Sequence, residues 1–233
     1  MLLVQRADAV PADEAWLAAA ERARADSFPG EARRRDFRLG RWTAKRALAD
    51  RLGLERSMRA LCEIEVASDE QGAPRATWRG AAVPCALSLS HRDGAALCAL
   101  APAGVALGCD LERLEARSAA FAEHFLADVE RAALTVLPDT FRGEHATLLW
   151  SAKESALKAL GIGLRVDARD VVVHTDPAHP RAGAWRPLRV RGSDVPSLCG
   201  WWCVRLSWIL TVVADVPLDP PRFRPQPARI APA

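Results

Sequence analysis

The sequence reads WSAKESALKALGIG from Trp150 to Gly163. Apolar residues recur there at three- and four-residue steps, a spacing that predicts a helix with one apolar stripe. These residues are Leu149, Ala152, Ala156 and Leu160. Gly161 supplies the stop signal at the end of the helix.

Three charged residues belong to this predicted helix. Glu154 and Lys158 are one turn apart on the face opposite the apolar stripe, and Lys153 is beside them. A Glu and Lys pair at this spacing is most often a solvated ion pair on an exposed face. A second acidic site elsewhere in the chain would favour a functional role.

Such a site lies in residues 104–112, which read GVALGCDLE. The alternation along this stretch predicts a half-buried strand, from whose end Asp110 and Glu112 point the same way. Adjacent carboxylates repel unless they are solvated, protonated or joined by a cation. Together with Glu154 they would offer the hard oxygen ligands that Mg²⁺ accepts. Taken alone, a solvated strand end is the more common explanation of such a pair.

Length and composition predict a globular protein. The chain has 233 residues, half of them apolar, which allows a sizeable core in one large domain or two small ones. A net charge of +3 suits an anionic ligand but is weak support for a nucleic-acid binder. Neither a long apolar run nor a signal-like N-terminus is present, so we expect a cytoplasmic protein with no membrane segment. The six scattered cysteines, Cys109 among them, are expected to be small buried hydrophobes rather than zinc ligands or nucleophiles.

The hydrophobic pattern predicts helices followed by strands twice along the chain. The predicted helices cover 13–26, 31–52, 121–134 and 149–160, and the predicted strands cover 63–67, 75–78, 85–90, 95–101, 105–112, 170–175, 185–191 and 200–213. This order predicts an α+β fold of two similar halves with the site at their junction. We expect an N-terminal half over 1–115, a C-terminal half over 116–216, and a disordered tail rich in Pro and Arg over 217–233.

Two further features suit a phosphate ligand. The helix over 31–52 combines an apolar face with a basic one that includes Arg33 and Arg41. That face could be merely solvated, attract polyanions without specificity, or offer forked donors to a phosphate. His91 follows Ser90 at a predicted hairpin turn, where a histidine is most often surface-exposed but can donate to a phosphate. Because the acidic sites also indicate phosphate chemistry, phosphate contact is slightly favoured over a merely solvated basic face.

Four short motifs occur in one order along residues 31–163. They are Gly72-x-Pro74, Ser88-x-Ser90-His91, Gly108-x-Asp110-x-Glu112 and Trp150-x-x-Lys153-Glu154-x-x-x-Lys158-x-x-Gly161. Together they resemble the 4′-phosphopantetheinyl transferases of the Sfp type. The basic helix is similar to that of the smaller members, which serve siderophore and secondary-metabolite synthases. Each motif is short, and the four in order make the resemblance specific.

The resemblance implies a monomer of two pseudo-symmetric α+β halves, each a small antiparallel sheet with packed helices. It implies transfer of the phosphopantetheine arm of coenzyme A to a serine of an apo acyl, aryl or peptidyl carrier protein, leaving adenosine 3′,5′-bisphosphate. By matching residues, the ligands of Mg²⁺, or of Mn²⁺ in its place, are Asp110, Glu112 and Glu154. Glu154 or a metal-bound water is then the base, and Lys158 stabilises or protonates the leaving phosphate. The residues implied to contact coenzyme A are Arg33, Arg41, Ser90, His91 and Lys153.

The sequence departs from this family in one place and leaves another open. Many relatives carry a lysine near the turn at Gln71 and Ala73, where this chain has no charge, so Arg75 takes that role or the contact is absent. Relatives grip the carrier through the segment matching 114–126, in which Phe121 and Phe125 suit either carrier contact or core packing.

Two other functions remain as alternatives. A Mg²⁺-dependent phosphohydrolase would use the same three carboxylates but leaves Ser90, His91 and the basic helix without roles. A basic module that binds nucleic acid through residues 33–46 would show a steep salt dependence, and no groove-reading or RNA-binding motif supports it.

Overall fold

A computed structural model describes residues 1–55, 57–175, 183–193 and 195–224. The elements of its first part are β1 (Leu2–Arg6), α1 (Ala19–Asp26), α2 (Glu31–Leu52), α3 (Met58–Cys62), β2 (Ile64–Ser68), β3 (Pro74–Trp78), β4 (Ala81–Ala82), β5 (Cys85–Arg92) and β6 (Ala95–Pro102). Those of its second part are β7 (Leu107–Arg113), α4 (Ala119–Phe125), α5 (Asp128–Thr135), α6 (Asp139–Leu160), β8 (Val172–Thr175), β9 (Arg186–Arg191), β10 (Leu198–Arg205) and β11 (Trp208–Ala214).

The strands form antiparallel sheets on which the helices pack. The second part contains one five-stranded sheet in the order β7-β11-β10-β9-β8. In the first part, β1-β6-β5 and β2-β3-β4 form two three-stranded sheets. The order β1-β6-β5 corresponds to β7-β11-β10, so the two parts repeat one arrangement. The predicted α+β fold of two sheet-and-helix halves is confirmed.

The boundary between the halves lies before β7. The strand that carries Asp110 and Glu112 pairs along its whole length with β11, the last strand among the described residues. It therefore belongs to the C-terminal half, and the connection between the halves is residues 103–106. The boundary predicted at residue 115 is wrong, because the hydrophobic pattern of a strand does not reveal which strand it will pair with.

The two longest helices are related by sequence as well as by position. Both α2 and α6 have 22 residues, and both end at a glycine in the left-handed conformation, Gly53 and Gly161. The tetrapeptide WTAK at residues 42–45 of α2 matches WSAK at residues 150–153 of α6. The match places Lys45 and Lys153 at the same turn of their helices.

Each of these lysines pairs with a buried glutamate on the preceding helix. Lys45 pairs with Glu21 of α1, and Lys153 Nζ lies 2.7 Å from Glu130 Oε2 of α5. Each glutamate also accepts a strand N–H, Glu21 from Val66 and Glu130 from Val173, at 2.9 and 2.8 Å. The same device thus joins a short helix, a long helix and a strand in both halves.

Three apolar clusters stabilise this architecture. One fills each half, around Trp42 in the first and Trp202 in the second. The third lies between β6 and the β7-β11 pair and contains Leu97, Cys109 and Leu210, all at most 1% exposed. It joins the two halves and places β7 at their junction.

Several predicted elements are placed differently by the structure. The helix over 31–52 is confirmed to the residue, whereas the helix predicted over 13–26 begins only at residue 19. The single helix predicted over 121–134 is two helices, α4 and α5, separated at residues 126–127. The strand predicted over 200–213 is the β10–β11 hairpin, which turns at Leu206 with φ 57°. Strand β1 and helix α3 were not predicted.

The first part of the tail is ordered. The Leu2 N–H donates to Arg222 O at 3.0 Å and the Arg224 N–H donates to Leu2 O at 2.9 Å, so the tail adds alongside β1. Phe223 stacks on Trp185 of the C-terminal half, with ring centroids 5.3 Å apart. The prediction of disorder is therefore wrong for residues 217–224, because an extended chain rich in proline can pair at a sheet edge. Residues 225–233 lie outside the described residues.

Within the described ranges, no helix has both the length and the apolar character needed to cross a lipid bilayer.

Candidate active site

A cleft of about 400 Å³ opens where β5, β7 and α6 meet. Its lining includes six of the residues singled out in the sequence, which are Ser90, His91, Asp110, Glu112, Glu154 and Lys158. The remaining lining residues are Leu89, Arg92, Leu111 and Trp150. The predicted convergence of the two acidic motifs at the junction of the halves is therefore confirmed.

A close approach of α6 to β7 makes this convergence possible. A Cβ atom on Gly108 would lie 1.8 Å from Ser155 O and 2.7 Å from Ala159 N. Only glycine allows the helix backbone to rest on the strand here. That contact brings Glu154 and Lys158 of α6 beside Asp110 of β7.

Asp110 is buried and held by hydrogen bonds to both of its oxygens. Ser90 Oγ and Lys158 Nζ each donate to Oδ1 at 2.8 Å, and Ser151 Oγ donates to Oδ2 at 2.9 Å. Ser151 is in turn 3.0 Å from the hydroxyl of Thr211 on β11. These contacts fix the carboxylate in one orientation, because the donors come from two packed elements, β5 and α6, and engage both of its oxygens.

Glu112 lies further out along the same face of β7. Its Oε2 accepts a hydrogen bond from Arg117 Nη2 at 2.9 Å, and Arg92 Nε lies 3.8 Å from the same oxygen. Burial and the neighbouring Asp110 raise the pKa of Glu112, against the opposing effect of the two arginines.

Glu154 is half-buried at the centre of the cleft wall. Burial raises its pKa, Lys158 opposes that shift, and the charges of Asp110 and Glu112 add to it. A carboxylate whose pKa is raised towards neutrality is a better proton acceptor than an ordinary glutamate. Glu112 and Glu154 thus both feel the charge of Asp110, as expected for groups gathered around a shared cation or proton.

Lys158 bridges strand and cleft. Its ammonium donates to Asp110 Oδ1 at 2.8 Å and to Cys109 O at 3.1 Å. Burial is the largest single effect on its pKa and lowers it, but the charges of Asp110, Cys109 and Glu154 and the hydrogen bond to Asp110 together outweigh burial, and the pKa is raised. An ammonium has three donors, so one remains for a ligand in the cleft. Cys109 faces the core, and burial raises its pKa to about 11, which fits the small buried hydrophobe predicted at this position.

The structure does not bring Lys153 to the cleft. Its side chain is fully buried and donates to Ala168 O at 2.7 Å and Val171 O at 2.6 Å besides pairing with Glu130. All three donors are therefore used inside the C-terminal half. The prediction that Lys153 contacts coenzyme A is wrong, because helical geometry turns this residue towards the core side of α6, where Leu157 one turn further on is also buried.

The other four residues predicted to contact coenzyme A divide between the cleft and helix α2. His91 is exposed at the rim of the cleft, and Ser90 lines it while its hydroxyl is bonded to Asp110. The described residues that line the cleft do not include Arg33 or Arg41. Arg33 is exposed on α2, and Arg41 is half-buried with its guanidinium carbon 4.4 Å from the Phe37 ring centroid. Burial lowers the pKa of Arg41.

Sequence reasoning assigned no role to three residues of the site. Ser151 supports Asp110, and its spacing to Ser155 and Lys158 on one helix stripe was a usable signal. Trp150 lines the cleft and lies 4.5 Å, centroid to centroid, from Phe125. Arg117 bonds Glu112 from a loop, and nothing in the local sequence pattern indicated it.

The carboxylate oxygens of the cleft suit a divalent cation, although the described residues do not form a complete coordination shell. Asp110, Glu112 and Glu154 supply carboxylate oxygens to one cleft, which is the ligand chemistry that Mg²⁺ prefers. Among the described residues, no group of three or more His, Cys, Asp or Glu is already gathered at ligating geometry. Mg²⁺ is usually held by one or two carboxylates, waters and substrate phosphates, so an open set of this kind fits it.

The fold and the cleft together define a class of protein. An α+β protein of two repeated halves carries carboxylates and a lysine at their junction, an arrangement suited to phosphoryl-type transfer.

The comparisons with known proteins identify the family. A model of the 4′-phosphopantetheinyl transferase superfamily matches residues 106–191, which include β7 and all of α6. The chain is also 30% identical over 186 residues to the 4′-phosphopantetheinyl transferase HetI of Nostoc sp. (strain PCC 7120 / SAG 25.82 / UTEX 2576), covering 77% of this chain and 76% of that protein. This chain belongs to the 4′-phosphopantetheinyl transferase superfamily and is an enzyme of that class. The resemblance given by the four motifs is confirmed.

Proposed function

We propose that this enzyme transfers the 4′-phosphopantetheine arm of coenzyme A to a serine hydroxyl of an apo carrier protein in a Mg²⁺-dependent reaction. The observation that carries the proposal is the convergence of Asp110, Glu112, Glu154 and Lys158 on one cleft in a chain of this family. The serine oxygen forms a bond to the phosphorus that bears pantetheine. The pyrophosphate P–O bond breaks, and adenosine 3′,5′-bisphosphate leaves.

Asp110, Glu112 and Glu154 would hold the cation, which when bound neutralises charge on the pyrophosphate. Glu154 takes the serine proton, a role supported by its half-buried position and raised pKa. A serine hydroxyl is a poor nucleophile at neutral pH and needs such a base.

Lys158 stabilises the phosphate that leaves. Its raised pKa keeps the ammonium charged, which favours electrostatic stabilisation over proton donation. The hydrogen bonds to Asp110 and Cys109 hold the ammonium beside the carboxylates before substrate binds. Preorganised charge of this kind acts without reorganisation during the reaction.

Coenzyme A would extend from the cleft past His91 towards the basic face of α2. Arg33 offers an exposed guanidinium there, and Arg41 Nε is buried with no hydrogen-bond partner among the described residues. Both are forked donors suited to the 3′-phosphate.

The 3′-phosphate contact is tested by comparing coenzyme A with 3′-dephospho-coenzyme A. Wild type should bind coenzyme A more tightly, and Arg41→Ala should lose most of that preference while binding the dephospho compound as wild type does. A preference that is unchanged in both Arg33→Ala and Arg41→Ala would place the 3′-phosphate elsewhere.

The reaction itself is tested by intact-mass spectrometry of apo fatty-acid and peptidyl carrier proteins incubated with enzyme, coenzyme A and Mg²⁺. A gain of one phosphopantetheine on the carrier serine, abolished by a chelator, is expected together with release of adenosine 3′,5′-bisphosphate. Cleavage of coenzyme A without modification of any carrier would favour the phosphohydrolase. Binding of a carrier protein or of a nucleic acid, with neither transfer of phosphopantetheine nor cleavage of coenzyme A, would overturn the proposal.

A further inference from the structure

The loop between β7 and α4 is fastened to α6 at two points. Gly143 of α6 lies so close to the loop that a Cβ there would be 2.7 Å from Ala116 Cα. One turn further on, Thr147 Oγ1 donates to Glu115 O at 2.8 Å. These contacts fix the backbone of residues 115–116, and with it the starting point of the Arg117 side chain.

Arg117 reaches from this loop back to the cleft. Its Nη2 donates to Glu112 Oε2 at 2.9 Å, and its Nη1 lies 3.3 Å from Glu115 Oε1. Its guanidinium carbon lies 4.9 Å from the ring centroid of Phe121 on α4. The side chain is 13% exposed. The guanidinium is thus held by two carboxylates and an aromatic ring at once.

Arg117, rather than Arg92, determines where the Glu112 carboxylate points. Arg92 Nε lies 3.8 Å from Glu112 Oε2, beyond hydrogen-bonding distance, and its side chain is 42% exposed. An exposed charge at that distance is screened by solvent and has no directional preference. The contact with Arg117 is short and largely buried, so it is directional.

Stability alone does not account for this contact. Arg117 Nε is buried and has no hydrogen-bond partner in the described part of the chain. A buried donor left unpaired costs free energy, and a buried ion pair with such a defect is a weak stabiliser.

We propose that Arg117 is a positioning residue that holds Glu112 for the divalent cation and ties it to the loop fastened on α6. The proposal rests on the metal-ligand role of Glu112 under the proposed function. The hydrogen bond uses Oε2, and no described residue donates to Oε1, which remains for the cation. Groups that orient a metal-binding side chain in this way typically contribute 10–100-fold to metal affinity.

The test measures Mn²⁺ binding to the protein loaded with coenzyme A, without a carrier protein, by the electron paramagnetic resonance signal of free Mn²⁺. Arg117→Ala should bind Mn²⁺ about tenfold more weakly than wild type. Arg117→Lys, which keeps the charge but loses the fork, should lie between them. Arg113→Ala is the matched control, because Arg113 contacts Ser207, the Trp208 ring and Asp93, none of which lines the cleft.

The outcomes separate this inference from the proposed function. If wild type binds no Mn²⁺, or Asp110→Asn binds it as well as wild type does, the metal site itself is wrong and the inference falls with it. If Asp110→Asn loses Mn²⁺ while Arg117→Ala binds as tightly as wild type or more tightly, only the role of Arg117 is overturned. A lower Tm with unchanged Mn²⁺ affinity overturns it too. If Arg117→Ala does not fold, Arg117→Lys decides by the same criteria.

Discussion

At the scale of single residues, the site holds like charges close together, which is electrostatically unfavourable. Asp110, Glu112 and Glu154 carry like charges into one partly buried cleft, and the pKa of both Glu112 and Glu154 is raised. Lys158 and Arg117 offset only part of that repulsion. A protein that retains such an arrangement gives up stability at the place where a cation and an anionic substrate bind.

Glu154→Gln should therefore stabilise the metal-free protein at high pH. The pKa of Glu154 is raised in the folded state, so its contribution to stability is fully present below about pH 4, near the pKa of an unfolded glutamate. That contribution is lost as pH rises through the folded-state pKa, and the neutral glutamine does not incur this loss.

The measurement is urea unfolding in chelator between pH 4 and pH 8. Glu154→Gln should exceed wild type in free energy of unfolding at pH 8, and the difference should shrink to nothing at pH 4. A difference that is absent, or that does not vary with pH, would show that the environment of Glu154 is not as described.

Residue identities predicted much of the site and misassigned part of it. The motif spacing found Asp110, Glu112, Glu154 and Lys158 because helix and strand periods alone decide which side chains share a face. It placed Lys153 wrongly because adjacent helical residues such as Lys153 and Glu154 point about 100° apart, and the choice between core and cleft depends on Glu130, which is distant in sequence.

At the scale of elements, the two buried glutamate and lysine pairs anchor the long helices. Glu130 is the third residue of α5, where its Oε2 accepts the Ala127 N–H at 2.8 Å and so caps the helix. This cap is why α4 and α5 are separate helices. The hydrophobic pattern of residues 121–134 continues through the break, so the pattern predicted a single helix.

Lys153→Met should unfold much more easily than wild type. It leaves Glu130 buried without its cation, a change that typically costs about 3–5 kcal/mol. Arg131→Met is the matched control, because its ion pair with Asp128 is exposed and such pairs contribute at most about 1 kcal/mol.

Urea unfolding of the two variants at neutral pH makes the comparison. The affinity of folded Lys153→Met for coenzyme A should equal that of wild type, since Lys153 does not reach the cleft. Equal losses of stability in the two variants would contradict the structural role, and a selective loss of coenzyme A affinity would restore the original prediction.

At the scale of the whole molecule, β1 and the tail up to residue 224 fasten the halves together. The tail leaves the C-terminal sheet, pairs with β1 of the N-terminal half and inserts Phe223 between Trp185 and Arg205. The shared cluster around Leu97 and Leu210 lies between the halves as well. The proline and arginine content predicted disorder here, because composition carries no information on whether a sheet edge is available for pairing.

Removal of residues 217–233 should destabilise the protein without altering its cleft. Two backbone hydrogen bonds to Leu2 are lost, worth about 1 kcal/mol each, together with the stacking of Phe223. Thermal unfolding should show a Tm lower by several degrees, with transfer activity at room temperature unchanged.

Removal of residues 225–233 alone is the control, because it leaves the contacts of Arg222 and Arg224 in place. Its Tm should match that of the full chain. Equal effects from both truncations, or none from the longer one, would mean that the contacts with β1 do not support the fold.

The overall architecture was more predictable than its details. Two rounds of helices and strands indicated two similar halves, and the WTAK and WSAK repeat supports them. Strand pairing was not predictable, because the partner of β7 is β11, about a hundred residues later in the sequence. The β10–β11 turn was missed because Leu206 and Ser207 lack the glycine, asparagine or proline that usually mark a turn.

The transfer rate of Glu154→Gln tests the central claim most directly. Purified wild type and variant are compared at saturating coenzyme A and Mg²⁺ on one apo carrier protein that wild type modifies, with product followed by intact mass. The account predicts a folded variant that binds coenzyme A but transfers phosphopantetheine at least about 10²-fold more slowly, the range expected when a general base is removed. A rate close to that of wild type would show that the cleft of Asp110, Glu112, Glu154 and Lys158 does not carry out the reaction as proposed.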